Sequence, residues 1–159
     1  MMVCLESNII DVPLNTWWLD IGAFIHITNS LQAVISRRKP SSLEQYVYMG
    51  DGTKVQVEFL GTVRLQLITG HFLELFDVAY IPSIKRNLIS VSILDRLGYS
   101  LLFGTGKLNL YRDSILIGNG TLCGNLYKLD LHDVASIASS SSLNTVVGSK
   151  RGMSDLRCW

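Results

Sequence analysis

No apolar run in this chain approaches the roughly 20 residues of a membrane-spanning helix, so no membrane partner is expected. Charge of one sign is also missing. Fourteen Lys and Arg stand against thirteen Asp and Glu, a formal net charge of +1. Without a basic field, no direct nucleic-acid partner is expected. Cysteine is scarce: Cys4, Cys123 and Cys158 lie far apart, and no pair has metal-ligand spacing. Their odd number points away from a disulfide framework and from an oxidising compartment. The first residues carry Glu6 and Asp11 but no basic side chain, so they do not read as a signal peptide. These absences together predict an intracellular, cytoplasmic location.

What is present is globular. The 159 residues are 48% hydrophobic and 17% charged, enough for one domain with a real core. Tyr46 to Met49 and Thr53 to Phe59 flank Gly50-Asp51-Gly52, a strand–turn–strand signature of a hairpin. Gly61 is read as the end of that unit. Val63, Leu65 and Leu67 then alternate with polar neighbours, and Phe72 to Ile81 is a nearly continuous apolar strand ended by Pro82. Leu88, Val91, Leu94 and Leu97 recur at helical spacing, and Gly98 supplies a stop, which predicts one short helix over 88–97. Strands resume at Tyr99–Phe103, Lys107–Tyr111, Ser114–Ile117 and Asn125–Leu131, with turns expected at Gly104-Thr105-Gly106 and Gly118-Asn119-Gly120. Residues 1–14 read as an N-terminal extension, 15–131 as the folded body, and 132–159, with the serine run Ser139–Ser142, as a loosely packed linker or tail.

Several local patterns have ordinary explanations. Gly104-Thr105-Gly106-Lys107 lacks the Ser or Thr and the first Gly of a phosphate-binding loop, and reads as a hairpin turn. His26, His71 and His132 are scattered, so no metal and no cofactor is expected. Arg37-Arg38-Lys39 and Lys85-Arg86 read as solvated loop charge, and Cys123 as a buried small hydrophobe. Tyr46 and Tyr48 read as core or cross-strand packing.

One stretch does not reduce to packing. In Trp17-Trp18-Leu19-Asp20-Ile21-Gly22-Ala23-Phe24-Ile25-His26-Ile27, an apolar strand delivers a single carboxylate into a tight turn. A carboxylate in such a setting is either satisfied by backbone N–H groups or kept for chemistry.

Trp18-Leu19-Asp20-Ile21-Gly22-Ala23 with His26 resembles, together with further motifs in the same order, the aspartic-protease-like β-barrel of copia-type retrotransposon Pol polyproteins. Those motifs are Met49-Gly50-Asp51-Gly52, Gly61-Thr62-Val63, Val78-Ala79-Tyr80-Ile81-Pro82, Asn87-Leu88-Ile89-Ser90-Val91, Leu94 with Gly98-Tyr99, and Leu126-Tyr127-Lys128-Leu129. The resemblance runs from Trp17 to Leu131. It implies a mainly β fold, a small closed β-barrel of the retropepsin-like type with one short helix. It implies an aspartic endopeptidase that processes a polyprotein as a homodimer. Asp20 would be the catalytic residue in a loop with Gly22 and Ala23, and the hairpin at Asp51-Gly52 would lie in the flap region. Two carboxylates would share one proton, one activating a water while the other protonates the scissile carbonyl oxygen. The substrate would be a polypeptide.

Ile21 departs from the pattern. The family has Ser or Thr there, whose hydroxyl would brace the two loops across the dimer axis, and Phe24 stands where a small residue is usual. These departures predict weak or lost activity, as in a decayed element copy. The alternative is a non-catalytic β-barrel, a relic or a protein-interaction module. The tail would lead toward an integrase zinc domain that this sequence does not contain.

Overall fold

Alternating apolar residues become twelve strands and one short helix in the computed structural model, which describes residues 15–132. The expected extension at 1–14, and the expected tail apart from His132, lie outside the described residues.

Ten strands form one sheet. Its order is β3 (Val34–Arg38), β6 (Phe59–Gln66), β7 (Phe72–Tyr80), β2 (Ile27–Thr28), β8 (Asn87–Ser90), β1 (Trp17–Asp20), β12 (Leu126–Leu129), β11 (Ile115–Cys123), β10 (Lys107–Arg112) and β9 (Tyr99–Gly104). Strands β4 (Tyr46–Tyr48) and β5 (Lys54–Gln56) form a separate hairpin. The sheet curls over one core. Val63 and Leu65 of β6 join the same buried cluster as Leu108 and Leu110 of β10, with Trp17, Leu19, Ile89 and Leu94. Where the curl brings β6 to the far side, Leu67 bridges Leu131, and the His132 N–H donates to the Gln66 carbonyl at 2.9 Å.

The closed barrel expected from the resemblance is not what the strand order gives. β3 and β9 end the order and do not pair with each other. The two halves of the sheet meet through side chains and that one bridge, so burial rather than hydrogen-bonded closure completes the core.

Three local expectations are corrected by pairing. Gly61 does not end a strand. It lies inside β6, where β3 approaches so closely that a Cβ would stand 2.7 Å from the Ser36 carbonyl oxygen. Gly118 and Gly120 do not form a turn either. β11 runs straight through them, because a Cβ at Gly120 would meet the Lys128 carbonyl oxygen at 2.7 Å and Leu108 Cδ2 at 2.9 Å. The turn falls at Gly124, with φ of 67°. Finally, the helix α1 spans only Val91–Arg96, while Asn87–Ser90 form β8. Pairing with β1 on one side and β2 on the other buries Asn87, Ile89 and Ser90, which outweighs local helical spacing. Gly98 ends the helical segment as expected, donating its N–H to the Asp95 carbonyl at 3.0 Å.

Cys123 is half-buried on β11 rather than the fully buried small hydrophobe expected. Among the described residues no helix is long and apolar enough to cross a membrane.

Candidate functional site: a carboxylate under a hairpin

β1 is buried because it is central. It runs parallel to β8 and antiparallel to β12, and Trp17 and Leu19 enter the core. Trp18 faces the other way, only 4% exposed, beneath the Arg86 guanidinium at 4.9 Å from its ring. Arg86 is therefore a stacking partner rather than free loop charge. The register places Asp20 opposite Ser90, so the strand end, the turn after it and the start of α1 converge.

The turn is held within its own chain. Asp20 Oδ1 accepts the Gly22 N–H at 2.8 Å. Ser90 Oγ donates to the Ala23 carbonyl at 2.7 Å and accepts the Ile93 N–H at 3.3 Å as the helix N-cap. The Ser90 N–H donates to His26 Nδ1 at 3.0 Å, which fixes the neutral ring with its proton on Nε2. Burial pushes the His26 pKa down to about 4. Below it, the Asn87 side chain ties three segments. Its Oδ1 accepts from Thr28 Oγ1 at 2.7 Å and the Asn29 N–H at 3.0 Å, and its Nδ2 donates to the Thr16 carbonyl at 2.9 Å.

Above the turn lies a cavity of about 740 Å³. It is lined by Asp20, Gly22, Ala23 and Phe24 of the turn, by the apolar Ile25, Ile27, Leu60, Ala79 and Leu88, and by hairpin residues Tyr46, Val47, Tyr48, Met49 and Gly50. The hairpin turn is closed by Met49 N–H to the Thr53 carbonyl at 2.8 Å and by Thr53 N–H to Asp51 Oδ1 at 2.8 Å. Those Thr53 contacts hold the Asp51 carboxyl below its ordinary range. Tyr46 and Tyr48 are exposed and border the cavity, and of the core or cross-strand packing expected for them the structure shows the second, with Lys54 Nζ 4.1 Å from the Tyr46 ring across the hairpin.

Glu44 and Asp77 also line the cavity, and both are engaged by Arg38. Arg38 Nη1 and Nη2 donate to Glu44 at 2.9 Å each, while Nε and Nη2 donate to Asp77 Oδ1 at 3.2 and 2.9 Å. The guanidinium, assisted by Ser41, holds the Glu44 carboxyl well below the usual carboxylate range. Asp20 is the cavity carboxylate without a cation partner among the described residues.

The structure thus brings together the sequence-named Asp20, Gly22 and Ala23 with the Tyr46–Gly50 side of the hairpin, while Asp51 and Gly52 at its turn lie outside the cavity lining. Ile21 is 76% exposed and lies outside the cavity lining, whereas Phe24, 86% exposed, lines the cavity beside Ala23. Sequence reading missed Arg38, taken for solvated loop charge, and with it Glu44 and Asp77. It missed Ser90 and Asn87 as polar anchors, although both fall in a motif singled out there. Among the described residues no group of His, Cys, Asp and Glu could hold a metal ion.

Fold and site define a small, mainly β domain whose central strand ends in a carboxylate-bearing turn at a hairpin-bordered apolar cavity. The sequence profile described as "Pol polyprotein, beta-barrel domain" matches residues 17–99, and the chain belongs to that family. It is 30% identical over 116 residues to the retrovirus-related Pol polyprotein from transposon TNT 1-94 of Nicotiana tabacum, covering 73% of this chain and 9% of that protein. It is 35% identical over 77 residues to the corresponding polyprotein from transposon RE2 of Arabidopsis thaliana, covering 48% of this chain and 5% of the relative. The transposon RE1 polyprotein of the same plant matches at 34% over 77 residues, again 48% and 5%. The chain thus spans less than a tenth of the length of these relatives. No solved structure matches it.

Proposed function

We propose that this domain is the polypeptide-handling β-barrel of a retrotransposon Pol polyprotein, built as one half of an aspartic endopeptidase site. One observation carries this reading: Asp20 opens, without a cation partner among the described residues, into an apolar cavity covered by a hairpin. An extended peptide fits such a cleft, with apolar side chains against Ile25, Leu60 and Leu88. One chain offers one usable carboxylate, since Arg38 engages Glu44 and Asp77. Hydrolysis would need a second copy. Two Asp20 carboxylates sharing a proton would then polarise a water on one side and protonate the carbonyl oxygen on the other, with no metal or cofactor. An intracellular setting belongs to this reading.

A second reading has its own support. Ile21 offers no hydroxyl to bridge two loops and is 76% exposed, which suits a domain that binds polypeptide without cutting it. Cleavage of a peptide library by the parent chain and by Asp20→Asn decides between them. Cleavage lost in Asp20→Asn supports the endopeptidase. Binding without cleavage in both supports the interaction module. Cleavage that survives Asp20→Asn removes the aspartic-protease reading.

A further inference from the structure

Hairpin β4–β5 needs an explanation for staying where it is. A lone two-stranded ribbon is marginal in water, and these strands pair only with each other. Val47 and Val55 seat it on the small apolar cluster around Val57 and Ala79. The segment leading into it is gripped from outside by Arg38.

That grip is built from three places in the fold. Arg38 closes the edge strand β3. Glu44 sits just before β4 and also accepts the Ser41 N–H at 2.9 Å, which folds the connection into a turn. Asp77 lies at an irregularity of β7, where the β6 register shifts between Gly61 and Val63, and its φ is 52°. Such a bulge re-aims a side chain, and here it delivers Asp77 to the same guanidinium that holds Glu44. A planar fork can hold two carboxylates at once, which an ammonium cannot do with the same geometry.

We propose that Arg38 is a positioning residue that latches hairpin β4–β5 over the Asp20 cavity, so that the exchange of a bound extended polypeptide is set by the opening of this latch. The role in polypeptide exchange rests on the reading given above, while the latch does not. The latch also keeps Glu44 and Asp77 occupied at the cavity border, which leaves the interior to apolar side chains.

The test uses the full chain and two variants, Arg38→Gln and Arg38→Lys. Amide hydrogen exchange is followed at Met49 and Val57, whose N–H groups bond within the hairpin and at its base, and at Leu65 and Leu110 in the core. Arg38→Gln is expected to speed exchange at Met49 and Val57 by about three- to tenfold, the range of a small ion-pair network, and to leave Leu65 and Leu110 unchanged. Arg38→Lys is expected to fall between. A dye-labelled linear peptide with Leu-Phe at its centre should dissociate faster from Arg38→Gln. Unchanged exchange at Met49 and Val57, or equal acceleration at all four amides, overturns the latch. An unchanged peptide dissociation rate alongside a loosened hairpin overturns its role in ligand exchange. Loosening of the hairpin in Arg38→Gln, with no peptide bound by the parent chain, keeps the latch and removes the polypeptide reading instead.

Discussion

His26 and Ser90, 64 residues apart in sequence, share a buried hydrogen bond of 3.0 Å from the Ser90 N–H to His26 Nδ1. Since the Ser90 hydroxyl also holds the Ala23 carbonyl, these two residues fix the turn after Asp20 from behind. The brace that a hydroxyl at position 21 would supply across a dimer is thus separate from the brace each chain supplies to itself.

His26 makes stability depend on pH. Its folded pKa of about 4 lies below the ordinary 6.5 because burial disfavours the cation. The unfolded chain therefore takes up the proton first as pH falls. The contribution is complete above about pH 6.5 and is lost progressively down to about pH 4, on the order of 3 kcal/mol in total. Denaturant unfolding at intervals across this window should show the loss, and His26→Gln should flatten it.

Asn87→Ala removes acceptor and donor together from Thr28, Asn29 and Thr16. Leaving such buried groups unpaired should cost on the order of 3 kcal/mol. Equilibrium urea unfolding measures it. A change within a few tenths of a kcal/mol would show that water replaces the side chain.

Gly120→Ala should destabilise by about 1–3 kcal/mol through overpacking, because its Cβ would meet the Lys128 backbone and Leu108. Gly104→Ala is the control, since nothing lies within 4 Å of a Cβ there. Thermal melts of the two variants should separate clearly.

Ile21→Ser should strengthen self-association and raise any peptidase activity, because it restores a hydroxyl at the outward tip of the turn. Sedimentation and peptide cleavage are measured side by side. Asp20→Asn in the Ile21→Ser background should abolish cleavage. Full activity in the parent chain, with no gain from Ile21→Ser, would show that residue 21 is not a brace.

Much of this architecture was legible where the signal is local. The hairpin at Gly50-Asp51-Gly52 appears between β4 and β5, and the turn at Gly104-Thr105-Gly106 joins β9 to β10. The apolar run at Phe72–Tyr80 is β7. Asp20 stood out because a carboxylate at the end of an apolar strand is rare. Arg38 did not, because its partners lie 6 and 39 residues away, and a basic triplet looks the same whether solvated or clamped. Ser90 and Asn87 were equally silent, since a short polar side chain does not announce what it will touch.

By itself the sequence determined a mainly β chain, a single carboxylate-bearing turn and its likeness to retrotransposon Pol polyproteins, because turn chemistry and period-two alternation act between near neighbours. Tertiary structure decided what distant strands impose on one another. It made β8 a strand instead of the first turns of a helix, carried β6 and β11 through their glycines, and left β3 and β9 as edges that do not pair with each other. It also drew Asp20, the hairpin and the Arg38 fork around one cavity. Each of these follows from backbone pairing or close approach between segments far apart in the chain, which no local spacing encodes.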